Sequence, residues 1–200
     1  MTRLLIWRHG QTAWNASDRV QGQTDVELDE VGVAQAERAA AWLVSYKPDL
    51  IVSSDLSRAA RTAAALAALT GHQVEYDERL RERHFGPWQG LTGAEIAEQY
   101  PEHYPHWRAV GEIAGLPVES TVDLGKRVTA ALKDIAARVG DGTAVVATHG
   151  GAARHGVAGM LEWPHEVAHT VGALSNCHVT ELRHNPHRGW QLRAHNIGAR

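Results

Sequence analysis

Short apolar runs alternate with alanine-rich segments along the chain. Uninterrupted apolar runs at 4–7, 50–52 and 144–147 each stop at polar residues, which predicts three buried strands that end in turns. Alanine-rich segments at 31–46 and 57–69 follow the first two runs and predict helices. This alternation of strands and helices indicates an α/β fold with a largely parallel sheet.

Weaker patterns predict the remaining elements. Apolar positions spaced by four, three and four between Val128 and Val139 give one helical face, with Ser120 or Thr121 as the expected cap. Residues 80–120 contain many glycines and prolines and are expected to be irregular, apart from one helix. The other predicted elements are a strand at 74–76, a helix at 92–99, a helix after His149, and a terminal strand pair at 177–182 and 190–194.

Composition narrows the class of protein. The chain has 200 residues, of which 44% are hydrophobic and 22% charged, as expected for one globular domain over 1–200. The net charge of -3 predicts no nucleic-acid partner. A lone Cys177, no long apolar run and an N-terminal apolar stretch too short for a signal peptide predict no membrane association and a cytoplasmic location.

The polar residues that follow the three buried strands carry the candidate chemistry. Arg8 and His9 end the first strand, and His149 and Gly150 end the third. In open α/β sheets, ligands bind beyond the carboxyl ends of the strands, so these residues are expected to converge. Arg58 lies in the first turn of the helix after the second strand, and helix N-termini favour anions. The set predicts a phosphate pocket, although a single His-Gly pair at a strand end is commonly only a turn.

The same residues belong to a longer motif. Residues 8–15 read R-H-G-Q-T-A-W-N, which resembles the R-H-G-x-T-x-x-N signature of the histidine phosphatase superfamily, in its phosphoglycerate mutase-like branch. The resemblance implies a three-layer αβα sandwich with a mostly parallel mixed sheet of about six strands, and a lid-like subregion at about 80–120. The resembling segments are 5–15, 19–22, 25–28, 53–59, 80–91 and 148–151.

The resemblance also implies a role for each residue of the motif. His9 would attack phosphorus and become a phosphohistidine, and Glu82 would protonate the leaving oxygen and then activate water. The alternative for Glu82 is an exposed carboxylate among arginines. The implied phosphate clamp, which needs no metal or cofactor, is Arg8, Arg58 and His149, with Asn15 as an amide donor. The implied further substrate contacts are Gln21, Gly22, Arg83, His84 and Gly150, with a solvated loop as the alternative for Arg83 and His84.

Two reactions are known on this fold, and the sequence favours hydrolysis. Residues 86–91 match G-x-W-x-G-L, which is typical of the phosphatase members, and too few residues follow Leu91 for the insertion of the mutases. The expected substrate is a small phosphorylated metabolite of sugar phosphate or phosphoglycerate type. The pattern looks closest to glucosyl-3-phosphoglycerate phosphatase-type members, although Val118 replaces a glycine that many of them have. A phosphoglycerate mutase and an inactive phospho-ligand-binding member are the alternatives, and a homodimer is possible.

Other chemistry-bearing residues give weaker signals. The histidine pairs at 103 and 106, 165 and 169, and 184 and 187 have spacings that metals use, but a solvated role is favoured and no metal site is predicted. Arg154, in the helix after His149, is a candidate for an added anion contact, with an ordinary structural role the favoured alternative. Trp107 and Tyr104 are candidates for an apolar wall over the substrate.

Overall fold

A six-stranded mixed sheet forms the centre of the molecule. The computed structural model describes residues 1–199, without the side chain of His165. The strands are β1 (Arg3–Arg8), β2 (Leu50–Ser53), β3 (Val74–Tyr76), β4 (Thr143–Thr148), β5 (Val179–Asn185) and β6 (Gly189–Ile197). Their order is β3-β2-β4-β1-β5-β6, with β3, β2, β4 and β1 parallel and β5 and β6 antiparallel. The predicted mostly parallel mixed sheet is confirmed.

Helices cover both faces of this sheet. They are α1 (Ala13–Ala16), α2 (Glu30–Leu43), α3 (Ser57–Thr70), α4 (Gly93–Gln99), α5 (Tyr104–Val110), α6 (Thr121–Val139) and α7 (Gly150–Met160). Short 3₁₀ helices lie at Val44–Tyr46, Glu78–Leu80, Gly86–Trp88 and His165–Thr170. The sequence predicted neither α1 nor α5, and the terminal strands extend further than expected.

Alternate residues of the buried strands point into two separate cores. In β1, Leu4 and Ile6 pack with residues of α6 and α7, whereas Leu5 and Trp7 pack with residues of α2 and α3. All four side chains are fully buried. A parallel strand with helices on both faces must be apolar on both sides, which explains the uninterrupted apolar runs in the sequence. The three-layer αβα sandwich is therefore confirmed.

Glycines allow α7 to lie directly against α6. A Cβ atom at Gly156 would lie 2.5 Å from Val128 Cγ1, and one at Gly159 would lie 1.9 Å from Thr129 Oγ1. Larger residues at these positions would push the helices apart, because packed interiors leave no spare volume. The close approach fixes the N-terminus of α7 at the carboxyl edge of the sheet.

Residues 86–118, here called the 86–118 segment, have a small hydrophobic core of their own. Trp88, Ile96 and Ile113 are buried in it. The Trp88 and Trp107 rings meet edge to face with centroids 5.4 Å apart, a favourable aromatic geometry. Helix α5 within this segment has proline in its first turn, a position that tolerates the missing N–H. No helix of residues 1–199 has the length and apolar character needed to cross a membrane.

Candidate active site

The ends of β1, β2 and β4 bring two histidines together. The backbone N–H of His9 donates to Thr148 O at 3.0 Å, and that of Ser54 donates to Ala147 O at 2.9 Å. These bonds continue the sheet pairing past the strand ends. The imidazole centroids of His9 and His149 are 5.2 Å apart, and both side chains are buried. His9 lines a cavity of about 270 Å³, here called the His9 pocket, whose lining also includes Arg8, Asn15, Arg58, Glu82 and Gly150. The predicted clamp residue His149 lies beside the His9 ring but does not line this pocket.

His9 has one ring nitrogen fixed by its own turn. Nδ1 lies 2.6 Å from Gly10 O, and because a carbonyl only accepts, Nδ1 carries the proton and donates. Nε2 therefore keeps its lone pair. Burial, followed by the positive charges of Arg58 and Arg8, holds the pKa of His9 well below its usual 6.5, so the ring is neutral. Gly10 is required here, because a Cβ atom would lie 2.4 Å from Gly32 O at the start of α2.

His149 and Arg58 hold each other in place. Arg58 Nε donates to His149 Nδ1 at 3.2 Å, so the ring proton sits on Nε2, which donates to Ser54 Oγ at 2.9 Å. Arg58 also donates to Thr24 O at 2.8 Å and Gly22 O at 2.7 Å, and its guanidinium has further N–H donors for an anion. Burial lowers the pKa of Arg58 to about 10, and burial together with the charge of Arg58 holds the pKa of His149 well below 6.5.

Arg8 supplies a second guanidinium. Its Nη1 donates to Leu174 O, while its Nε is buried and has no hydrogen-bond partner among the described residues. A Cβ atom on Gly150 would lie 3.6 Å from that Nε, which places the guanidinium against the first turn of α7. Buried N–H donors are normally paired, so an unpaired one beside a helix N-terminus is suited to an anion.

Asn15 is oriented by one donor at the start of its own helix and one from a distant segment. Its Oδ1 accepts from Thr12 N–H at 3.2 Å and from Asn176 Nδ2 at 3.3 Å. Because the amide oxygen is taken, the Asn15 NH₂ group is the part available to a ligand of the His9 pocket. Asn176 Nδ2 also donates to His9 O at 3.0 Å. The sequence did not single out Asn176, although it precedes β5, whose start must lie beside the end of antiparallel β1.

Glu82 lies across the N-terminus of α7. Its Oε2 accepts from Gly151 N–H at 2.8 Å, and its Oε1 accepts from Ala152 N–H at 3.0 Å and Arg83 N–H at 2.8 Å. These backbone donors hold both carboxyl oxygens in place. A Cβ atom on Gly151 would lie 2.6 Å from Oε1, so the carboxyl group can take this position only because residue 151 is glycine.

Arg127 of α6 holds the segment that carries Glu82. It donates to the carbonyl oxygens of Arg79 at 2.8 Å, Arg81 at 2.7 Å and Glu82 at 2.9 Å, and it pairs with Glu119 at 2.6 Å. Because the one Arg127 side chain binds three backbone carbonyl oxygens, it holds in place the main chain that carries the Glu82 carboxyl group. The sequence contains no signal for this contact, because the arginine looks like any other polar residue on an amphipathic helix.

The further predicted contacts divide into two groups. Gln21, Gly22 and Gly150 line the His9 pocket. Arg83 does not, because its guanidinium is buried in an ion pair with Glu112 at 3.1 Å and in bonds to backbone carbonyls. His84 is exposed and makes its contact through its backbone N–H, which donates to a carboxylate. The structure therefore does not bring Arg83 or His84 to His9.

A second cavity of about 370 Å³ adjoins the His9 pocket. It is called here the Trp107 cavity, and its lining includes Phe85, Trp107, Val110, Leu124 and Arg154. Glu82, Phe85, Gly151 and Arg154 line both cavities, so they form the boundary. Tyr104 does not line it and instead packs against Trp107 in the small core.

The acidic and imidazole groups near the site do not cluster as metal ligands do. In residues 1–199 without the His165 side chain, no three His, Cys, Asp or Glu side chains are close enough to hold a metal ion. The spacing at 165 and 169 noted in the sequence rests on a side chain outside the described residues.

Comparison with known proteins places this geometry in a family. The model of the histidine phosphatase superfamily (branch 1) matches residues 4–198. The chain belongs to the histidine phosphatase superfamily. The matched range, 4–198, includes every residue that lines the His9 pocket.

Named relatives in the histidine phosphatase superfamily include phosphatases. Glucosyl-3-phosphoglycerate phosphatase of Mycobacterium tuberculosis (strain CDC 1551 / Oshkosh) is 39% identical over 188 residues, which cover 90% of this chain and 84% of the relative. Metal-independent phosphoserine phosphatase of Arabidopsis thaliana is 38% identical over 159 residues, covering 77% and 66% of the two chains. A solved structure of mycobacterial glucosyl-3-phosphoglycerate phosphatase with VO3 is 39% identical, with a TM-score of 0.90 and coverage of 98% and 99%.

Proposed function

We propose that the protein is a metal-independent phosphomonoesterase that hydrolyses small phosphorylated metabolites through a phosphohistidine intermediate. The observation that carries the proposal is the neutral, buried His9, whose Nδ1 is fixed by Gly10 O and whose Nε2 keeps a lone pair. An imidazole in this state can attack phosphorus without first losing a proton. Arg8 and Arg58 line the same pocket and supply donors for the phosphoryl oxygens. His149, whose ring bonds to Arg58 and Ser54, would act on the phosphate through the position of Arg58.

The proposed reaction has two displacements. In the first, Nε2 of His9 bonds to phosphorus, the bond from phosphorus to the ester oxygen breaks, and protonated Glu82 gives its proton to the leaving oxygen. In the second, a water attacks the phosphohistidine and Glu82 takes a proton from it. The bond from phosphorus to nitrogen then breaks, which releases inorganic phosphate and restores His9.

The fixed position of Glu82 supports its proposed role. Both carboxyl oxygens are held by backbone N–H groups at the start of α7, and Glu82 lines the His9 pocket. Asn15, Gln21, Gly22 and Gly150 are proposed as contacts of the bound phosphate or of its ester. Arg83 and His84 would act on the substrate only indirectly, since neither reaches the His9 pocket.

The relatives support hydrolysis of sugar phosphate or phosphoglycerate type esters in preference to mutase activity. The phosphatases align over 90% and 77% of this chain, whereas the 2,3-bisphosphoglycerate-dependent mutases align over 53% to 60% of it. An inactive phospho-ligand-binding protein is less favoured, since none of the implied catalytic residues is replaced. Val118, the departure noted in the sequence, packs against the small core of the 86–118 segment.

Four expectations from the sequence remain predictions. They are a single domain over 1–200, a lid role for about residues 80–120, a cytoplasmic location and a homodimer.

The test is hydrolysis of p-nitrophenyl phosphate in the presence of EDTA. In parallel, enzyme that has reacted with a ³²P-labelled phosphate ester is quenched in alkaline SDS and analysed for an acid-labile, base-stable phosphoryl group. We expect turnover with EDTA, and His9→Ala should lose activity by about 10⁴-fold or more together with the label. His72→Ala, at an exposed histidine away from the pocket, is the matched control. Activity only with added metal, or a label retained in His9→Ala, would refute the proposal.

A further inference from the structure

Arg154 lies where the His9 pocket opens into the Trp107 cavity. It lines both cavities, one helical turn after Gly150 and Gly151, so it faces the same side of α7 as those glycines. Its Nε is buried and has no hydrogen-bond partner among the described residues. A guanidinium donor that is withdrawn from water and left unpaired is costly unless a ligand satisfies it.

The position of Glu82 determines where the leaving group of a substrate must go. If Glu82 protonates the ester oxygen, that oxygen lies beside the boundary between the two cavities, and the rest of the alcohol must extend past it. The Trp107 cavity begins at that boundary and, at about 370 Å³, is larger than a three-carbon acid requires. Phe85, Trp107 and Leu124 supply apolar walls for the carbon skeleton.

The charged side chains around the Trp107 cavity suit a leaving group with one negative charge but not one with two. Its lining holds two arginines and three glutamates. Arg83 is already paired with Glu112, and Glu82 is held by backbone N–H groups. Arg154 is thus the cation best placed to meet a ligand, and Glu166 lies exposed at the rim. A single guanidinium suits a carboxylate, whereas a second phosphate would normally require more positive charge.

We propose that the Trp107 cavity holds the leaving group and that Arg154 binds a carboxylate carried by that group. The preferred substrates are then phosphate esters of hydroxy acids, in which the carboxylate lies a few atoms from the ester oxygen. This inference rests on the proposed phosphatase function and goes further by assigning the acidic part of the substrate to one side chain. Burial lowers the pKa of Arg154 and Glu82 raises it.

The test compares two pairs of esters that differ in the carboxylate: 3-phosphoglycerate with glycerol 3-phosphate, and phosphoserine with phosphoethanolamine. Wild type should have the higher kcat/KM for the acid of each pair. In Arg154→Gln the ratio of kcat/KM within each pair should fall by about 10- to 100-fold, mainly through KM, and Arg154→Lys should restore part of it. For any ester not turned over, the ratio is taken from competitive inhibition of p-nitrophenyl phosphate hydrolysis.

Arg108→Gln is the matched control, because Arg108 is an exposed arginine on α5 that lines neither cavity. Its ratio should stay within about twofold of wild type. An unchanged ratio in Arg154→Gln, an equal loss on both members of each pair, or the same loss in Arg108→Gln would overturn the inference. Failure of the wild type to hydrolyse p-nitrophenyl phosphate would instead refute the proposed function itself.

Discussion

The His9 pocket and the Trp107 cavity share a wall but are held together differently. The pocket is built from strand ends and helix N-termini, and hydrogen bonds with backbone carbonyls and with one another's side chains orient His9, Arg58 and His149. The cavity is closed on one side by the 86–118 segment, whose small core is separate from those that flank the sheet. We infer that the residues at the sheet edge determine the reaction, while the 86–118 segment determines which leaving groups the Trp107 cavity accepts.

A substitution at Gly151, in the first turn of α7, is expected to have the largest effect on the His9 pocket. Gly151→Ala would place a Cβ 2.6 Å from Glu82 Oε1, so the carboxyl group must leave its present position. We expect kcat to fall by about 10²-fold, the lower range for loss of a general acid. Gly172→Ala is the control, because Gly172 is exposed, lines neither cavity, and its Cβ would have no neighbouring atom within 4 Å. Steady-state kinetics that show equal losses in both variants would contradict the role of this contact.

Substitution of Arg127 tests whether the position of Glu82 depends on the hydrogen bonds between Arg127 and the main chain of residues 79–82. In Arg127→Met the carbonyl oxygens of Arg79, Arg81 and Glu82 lose their common donor. We expect kcat to fall by about 10-fold with KM little changed, and the free energy of unfolding to fall by about 1–3 kcal/mol. Arg127→Lys should recover part of kcat. A loss of stability with kcat and its pH profile unchanged would show that Arg127 is structural only.

The two buried histidines are expected to have a smaller effect, which is on the pH dependence of the free energy of unfolding. Both His9 and His149 have a folded-state pKa well below 6.5, so the unfolded chain binds more protons once the pH falls below about 6.5. Their contribution to stability is present above that pH and is lost as the pH falls towards the folded values. The slope should approach about 1.4 kcal/mol per pH unit for each histidine.

Urea unfolding between pH 7 and pH 5 measures this slope. That range lies above the lowered pKa values of Asp55 and Asp77, so those carboxylates do not contribute. His149→Gln should reduce the slope by one proton, whereas His72→Gln, at an exposed histidine, should leave it unchanged. A free energy of unfolding that is constant or rises as the pH falls would contradict the neutral state of the two rings.

The sequence predicted the His9 pocket better than the surroundings of the Trp107 cavity. Apolar runs and the residues after them located His9, Arg58 and His149, because the ends of parallel strands must meet at one edge. Asn176 and Arg127 were missed, since each acts through hydrogen bonds to residues distant in the chain. Helix α5 was missed because prolines suggested irregular structure, although a proline in the first turn is compatible with a helix.

The place of β1 in the sheet has a consequence for the order in which the protein folds. This strand is the first in the chain, yet its two neighbours are β4 and β5, which are made much later. His9 therefore cannot be enclosed until synthesis has passed Val179–Asn185, and early intermediates must leave the edges of β1 unpaired. Pairing across so long a separation in sequence slows folding and exposes strand edges to aggregation. A nascent chain would contain the proposed nucleophile, His9, early in synthesis, but the pocket around it could form only near the end.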